Sequence, residues 1–281
     1  MKTVKTVKQL RAAVAAWRKR GLSVGFVPTM GFLHAGHQSL IKKAAAQNDR
    51  TVVSIFVNPM QFGPKEDLAK YPRDLAADKK ACAAAGAHLI FCPEAGEMYP
   101  PAFAARVEIS GVSEGLCGAS RPGHFTGVAT VVAKLFNIVQ ADRAYFGQKD
   151  AQQLAVIRRM AADLNINTRI ISCPIVRGSD GLALSSRNAY LNARERQAAL
   201  CISRALAAGR KMLEGGARSA LKVEAAVRAT INKEPLAKID YVKIVDPQTM
   251  RPVRQINGAV LCAAAVFIGK TRLIDNFIFG A

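Results

Sequence analysis

Two histidines, His34 and His37, flank Gly36 in the stretch Pro28-Thr29-Met30-Gly31-Phe32-Leu33-His34-Ala35-Gly36-His37. Gly31 and Gly36 let backbone approach a ligand closely. A helix starting near Gly36 would aim its unpaired N–H groups and the positive end of its dipole at an anion. The stretch therefore reads as a phosphate cradle. Its imidazoles can donate hydrogen bonds to phosphoryl oxygens, and these strengthen as charge develops during attack at phosphorus. A single histidine here would more simply satisfy the loop, but a pair across a glycine at a strand-to-helix turn favours the chemical reading.

Further polar groups follow other strand ends. The amides of Asn58 and Gln61 can pair with hydroxyl and carboxylate oxygens without adding charge, although an Asn-Pro turn accounts for Asn58 almost as well. Lys149 can reach a phosphate, while Asp150 either caps the next helix or takes a ribose hydroxyl. Gln153 lies one turn further on, where a solvated amide is the plain alternative. Ser185, Ser186 and Arg187 stand in a Gly/Ser-rich loop able to bring hydroxyls and a guanidinium onto a triphosphate, and a surface loop is the alternative. Arg121 and His124 could assist a carboxylate, or simply belong to a Gly-Pro turn.

The elements that must position these groups alternate. Short β-branched runs at 23–27, 51–57, 88–92, 106–109, 144–146 and 169–173 interleave with alanine-rich helical runs at 36–47, 74–85, 127–139 and 150–164. That rhythm predicts βαβ units on a doubly wound parallel sheet, an α/β Rossmann-like domain with ligands beyond the carboxyl ends of its strands. Past Pro174 two long helices (193–213, 220–231) and strand-like runs near Tyr241, Leu261 and Phe277 predict a smaller α+β domain. The expected division is 1–175 for the nucleotide- and substrate-binding domain and 176–281 for a C-terminal lid domain. Ahead of both, Thr6 and Gln9 have capping-box spacing, Val7, Leu10, Val14 and Trp17 form one helical stripe, and Gly21 is a natural stop.

The 281 residues carry 40 Lys+Arg against 20 Asp+Glu, a formal charge of +20 that favours anionic partners without choosing among them. The positive residues are spread along the chain with no aromatic-rich RNA-binding signature, which argues against a nucleic-acid partner. The longest apolar run, Ala259 to Ile268, is far short of the roughly 20 residues that span a bilayer, so no membrane partner is expected. Six scattered cysteines without a CxxC pair, and no secretory signal, point to the cytoplasm and to neither disulfides nor zinc.

Three tempting patterns fail. Gly111-Val112-Ser113-Glu114-Gly115 has the spacing of a nucleophile elbow, but Gly- and Pro-rich sequence follows where a helix is required. Gly269-Lys270-Thr271 mimics the end of a phosphate-binding loop, yet Ala264 stands where its first glycine belongs. His34 and His37 lack a third ligand for a metal, so no metal-binding residue is assigned.

His34-Ala35-Gly36-His37 resembles the HxGH signature of the nucleotidyltransferase superfamily, and the longer string resembles the pantothenate synthetase family. Further segments match that family in order: Phe56 to Phe62, Tyr71-Pro72-Arg73-Asp74, Arg121 to Phe125, Phe146 to Asp150 with Gln153, and Ser185-Ser186-Arg187-Asn188. The resemblance implies ATP-dependent condensation of pantoate with beta-alanine through a pantoyl adenylate, releasing pyrophosphate and AMP, as a step of pantothenate biosynthesis. It implies ATP contacts from Met30, Gly31, Phe32, Leu33, His34, Ala35, Gly36, His37, Gly147, Gln148, Lys149, Asp150, Val176, Leu184, Ser185, Ser186 and Arg187. Pantoate contacts would come from Asn58, Gln61 and Gln153, with Gln61 also meeting beta-alanine. His34, His37, Lys149 and Arg187 would be catalytic, and His37 is the first choice for handling a proton. The resemblance also implies Mg²⁺ accompanying ATP and a homodimer. Leu184 stands where the family often has methionine. A bare nucleotidyltransferase acting on a phosphate-bearing acceptor is the closest rival, and the neutral amides of Asn58, Gln61 and Gln153 suit a small hydroxy acid better.

Overall fold

The computed structural model describes residues 1–64 and 66–280, which group into two compact units. The first comprises Met1–Ile109, Arg121–Gln148 and Val156–Pro174, and the second Ser110–Ser120, Lys149–Ala155 and Ile175–Ala281. Two short segments, 110–120 and 149–155, thus group with the C-terminal part of the chain.

The first unit is built on six strands: β1 (Lys2–Val4), β2 (Val24–Thr29), β3 (Arg50–Ile55), β4 (Leu89–Phe91), β5 (Arg143–Gly147) and β6 (Arg169–Cys173). They form one parallel sheet in the order β1-β4-β3-β2-β5-β6. The chain steps from β2 outward through β3, then returns to place β5 on the other side of β2. This reversal makes a crevice beyond the carboxyl ends of β2 and β5, the position where open α/β sheets bind ligands. The residues leaving β2 are the His34–His37 loop, and those leaving β5 begin with Gln148.

Around the sheet lie α1 (Val7–Arg18), α2 (Ala35–Gln47), α3 (Leu75–Ala84), α4 (Ala95–Met98) and, after α5 (Cys117–Ser120) of the second unit, α6 (His124–Val139). Local chemistry sets their starts. Thr6 and Gln9 close the expected reciprocal capping box on α1, and Asp74 caps α3 by accepting from Ala77 N–H. Helix α6 is apolar on nearly every face because it is buried, packing against α1 and β2. The expected strand at 106–109 does not form: Val107 N–H donates to the Thr130 hydroxyl rather than to a ladder partner. In its place the sheet gains β1, whose three residues are too few to show alternation in sequence.

In the second unit, α7 (Ala151–Asp163) starts, and α8 (Ala193–Glu214) and α9 (Ala220–Ile231) cover a three-stranded antiparallel sheet, β7-β8-β9 (Ala237–Val245, Val260–Ile268, Thr271–Phe279). Ala199, Ile202, Val223, Val227, Val242, Ala264 and Val266 bury the contact between them. Gly269-Lys270 proves to be the tight turn of the β8–β9 hairpin, with Gly269 at φ +56. Buried Gln152 ties segment 110–120 to this unit: its Oε1 accepts from Cys117 N–H, and its Nε2 donates to the carbonyls of Val112 and Gly115. No helix among the described residues is long and apolar enough to cross a membrane.

Candidate active site

The loop leaving β2 is pinned at its start, where Thr29 Oγ1 donates to Ser54 O (2.7 Å) on β3 and accepts from Gly31 N–H (3.2 Å). Gly31 then adopts φ +83 and Phe32 φ +51, two successive left-handed residues that turn the chain into α2. Only Gly31 does so without a steric cost, and Phe32 needs outside support.

That support comes from Asp78, a buried carboxylate on α3. Its Oδ2 accepts from Phe32 N–H (3.0 Å) and its Oδ1 from Leu33 N–H (2.7 Å). A Cβ at Gly31 would lie 2.9 Å from Asp78 Oδ2, so the glycine is also needed for the carboxylate to come this close. Burial pushes the Asp78 carboxyl above the ordinary range, against the pull of its two N–H donors. The carboxylate is thus retained at an electrostatic cost, in exchange for a fixed loop.

His34 caps α2. Its Nδ1 accepts from Gly36 N–H (3.1 Å), while His37 Nδ1 accepts from His34 N–H (3.4 Å), a capping box built from two imidazoles. A ring nitrogen that accepts an N–H carries no proton, so each neutral ring holds its proton on Nε2. The donor edge of both rings is therefore Nε2–H. Their centroids are 4.1 Å apart at a tilt of 40°, close enough that two imidazolium charges would repel each other strongly. The capping geometry turns a helix start into two adjacent donors beside an anion-favouring dipole end.

The second strand-end group sits on the 3₁₀ turn Pro59–Gln61 after β3. Asn58 is 1% exposed, and both of its amide atoms are engaged. Its Oδ1 accepts from Tyr99 OH (2.7 Å) and Met60 N–H (3.3 Å); its Nδ2 donates to Gly127 O and Gln61 Oε1 (3.1 Å each). With its oxygen occupied, the Gln61 carboxamide turns its Nε2 toward Met30 Sδ in the loop after β2 (3.1 Å). Arg121 and His124 brace the same turn: His124 Nδ1 donates to Gln61 O (2.8 Å) and Arg121 Nη2 reaches that carbonyl at 3.3 Å. Arg121 is itself held by a bidentate pair with Glu66. Burial opposes ionisation of Glu66, yet the Arg121 hydrogen bonds and charge keep its carboxyl below the ordinary range.

Gly127, one turn into α6, lets this arrangement close. A Cβ there would run into the Met60 carbonyl and lie 2.6 Å from Gln61 Cα. We expect Gly127→Ala to push the turn off α6 and break the Asn58-to-Gly127 bond. The cost would be about 1–3 kcal/mol of stability from overpacking, read as a lower urea midpoint at unchanged m-value.

In the second unit, Lys149 and Asp150 form an ion pair at 3.8 Å ahead of α7, and the Lys149 carbonyl accepts from Asn276 Nδ2 (2.9 Å) on β9. Gln153 is half-buried on α7. Leu184 N–H donates to Val176 O (3.0 Å), which brings those two expected nucleotide contacts together. Ser185 caps the 3₁₀ turn Ser186–Tyr190 by accepting from Arg187 N–H, while its own N–H donates to Asn188 Oδ1 (2.7 Å). That turn packs against β9, the strand that also holds Lys149.

Within the first unit, the expected residues Met30 to His37, Asn58, Gln61 and Gln148 follow the carboxyl ends of β2, β3 and β5, and Gly147 is the last residue of β5. Within the second, Lys149 and Asp150 precede α7, Val176 and Leu184 pair through their backbones, and the turn that Ser185 caps, which contains Ser186 and Arg187, packs against β9. Asn58, expected to meet substrate directly, instead spends its amide on protein partners. Asp78, Tyr99 and Gly127 escape a reading of the sequence. Each acts across a gap of about 40 residues or more with no local motif to mark it.

The family model for pantoate-beta-alanine ligase matches residues 2–278. A pantothenate synthetase of Ruminiclostridium cellulolyticum is 57% identical over 279 residues, covering 99% of both chains. One of Enterococcus faecalis is 56% identical over 275 residues, covering 98% of both. Among solved structures, the pantothenate synthetase of Thermus thermophilus superposes with a TM-score of 0.94 at 46% identity, covering 99% of each chain. The pantoate-beta-alanine ligase of Francisella tularensis, solved with beta-gamma ATP and beta-alanine, gives 0.80 at 36% identity, covering 99% of this chain and 97% of its own. The HxGH cradle and the Asn58–Gln61 turn thus lie in a chain that belongs, over its whole length, to the pantoate-beta-alanine ligase family.

Proposed function

We propose that the chain joins pantoate to beta-alanine at the expense of ATP, and that the paired Nε2–H donors of His34 and His37 at the start of α2 drive its first step. In that step a pantoate carboxylate oxygen attacks the α-phosphorus and the bond to the β-phosphate oxygen breaks, giving pantoyl adenylate and pyrophosphate. In the second, the beta-alanine amine attacks the acyl carbon, AMP leaves and the nitrogen loses its proton.

The observation that carries this reading is the reciprocal imidazole cap, which fixes both tautomers so that Nε2–H donates. Those donors stabilise the five-coordinate phosphoryl group more than the ground state. Lys149 and Arg187 act on the phosphates and the departing pyrophosphate, while Ser185, Ser186 and the backbone at Gly147, Gln148, Val176 and Leu184 hold the nucleotide. Asp150 takes the ribose. The Gln61 Nε2 donor and the Gln153 amide serve the hydroxy acid, with Asn58 orienting Gln61, and Gln61 also meets beta-alanine. The proton that the nitrogen loses ends on the departing AMP phosphate, His37 relaying it by first donating its Nε2 proton to that phosphate and then taking the amine's proton at Nε2.

Among the described residues no group of three or more His, Cys, Asp or Glu could hold a metal ion. A magnesium ion accompanying ATP would be held mostly by phosphate oxygens and water, neutralising the β- and γ-phosphates. The resemblance to the family also supports a homodimer and a cytoplasmic setting.

The test is partial-reaction chemistry. Pantoate and ATP alone should release pyrophosphate in an amount matching the enzyme, with AMP and the amide appearing only once beta-alanine is added. Pyrophosphate release that needs beta-alanine from the start, or that ignores pantoate, would contradict the two-step reading.

A further inference from the structure

Helix α4 ends at Tyr99, whose N–H donates to Ala95 O (2.8 Å) and whose ring packs edge-on against Phe103, with centroids 5.0 Å apart. The Phe56 and Tyr99 ring centroids are 6.1 Å apart, and the Lys134 ammonium stands over the Phe103 ring at 4.5 Å. Packed against these rings, the phenol donates its OH to Asn58 Oδ1 at 2.7 Å. Burial raises the phenol above its ordinary pKa, so the hydroxyl is a donor throughout the neutral range.

The Asn58 amide cannot turn over. Met60 N–H can only donate and Gly127 O can only accept, so Oδ1 faces the first and Nδ2 the second. The remaining Nδ2 hydrogen then dictates that Gln61 presents Oε1 inward and Nε2 outward. What Tyr99 adds is restraint. Without its hydroxyl, Asn58 Oδ1 keeps only the longer bond from Met60 N–H, at 3.3 Å.

We infer that Tyr99 is a positioning residue for hydroxy-acid recognition, its hydroxyl fixing Asn58 so that Gln61 offers a donor to the substrate's oxygens. The inference rests on the assignment of Gln61 to pantoate made above. Tyr99→Phe keeps the ring stack and removes only the hydroxyl, which separates positioning from folding. In the full-length protein we expect the KM for pantoate to rise about 3–10-fold, the range of one net hydrogen bond. The KM for ATP should stay within about 2-fold and the Tm should barely move. In an Asn58→Ala background the same substitution should add nothing, since its only route to Gln61 is gone.

A Tyr99→Phe enzyme indistinguishable from the parent would overturn the inference while leaving the function intact. So would equal losses for ATP and pantoate with a lowered Tm, or full additivity with Asn58→Ala. A parent enzyme that does not use pantoate at all would overturn the assignment of Gln61, and this inference with it.

Discussion

Replacing His37 with alanine is expected to lower turnover about 10²–10³-fold, the loss typical of removing one preorganised donor from a developing oxyanion. The fold should suffer far less. His37 supplies one arm of the α2 capping box by accepting from His34 N–H, and losing a cap costs about 0.5–2 kcal/mol. His37→Gln sharpens the test, because glutamine is an ordinary residue at this capping position and can accept the same N–H. It should restore the stability lost in the alanine variant yet leave turnover well below the parent, since an amide can donate to phosphate but cannot carry a proton at neutral pH. Steady-state kcat and urea midpoints on the three proteins would show it. Near-normal turnover in His37→Ala would remove the imidazole from the mechanism.

The second large effect is expected at Asp78, which no ligand needs to touch. Its two oxygens hold the N–H groups of Phe32 and Leu33, and asparagine offers one oxygen where two acceptors are required. The amide NH₂ would then face a backbone N–H, and the strained Phe32 turn would lose its anchor. Losing a hydrogen bond to a charged group is worth about 1.5–3 kcal/mol, so the ATP-dependent step should slow by roughly 10–100-fold, mostly through the nucleotide KM.

Stability should respond differently. Because burial raises the Asp78 carboxyl above its unfolded value, the folded state binds the proton more tightly than the unfolded chain. This group's favourable contribution is therefore present below the unfolded value of 3.8 and lost as pH rises through the raised folded value. Asp78→Asn removes that loss. Its stability relative to the parent should improve as pH rises out of the acid range, even as activity falls. Urea midpoints of the two proteins across that range measure the crossing trend, and a variant that weakens further with rising pH would contradict it.

The parts of this site legible in sequence are those written in consecutive residues. His34, Gly36 and His37 fall where a β-run gives way to a helical run, so composition and position agree, and the helix start at Ala35 comes within a residue of expectation. Lys149 and Asp150 stand out the same way, at the end of β5.

What sequence hides is the support. Asp78 lies in an alanine-rich helix where a lone acid reads as a solvated charge, and only the approach of α3 to the β2 loop turns it inward. Gly127 looks like an indifferent helix residue until the Met60 carbonyl is placed against it. Asn58 reads as a substrate contact because its partners, Tyr99 and Gly127, are 41 and 69 residues away. Arg106 to Ile109 has the β-branched character of a strand, but strand formation needs a ladder partner, and Val107 N–H is taken instead by the Thr130 hydroxyl on α6.

A crystal structure of the protein with ATP and pantoate bound would decide whether the paired imidazoles face the reacting phosphate. Phosphate oxygens are expected within hydrogen-bond distance of Nε2 of both His34 and His37, with the α2 N–H groups facing the same anion. A nucleotide bound with its phosphates away from both rings would contradict this reading of the cradle.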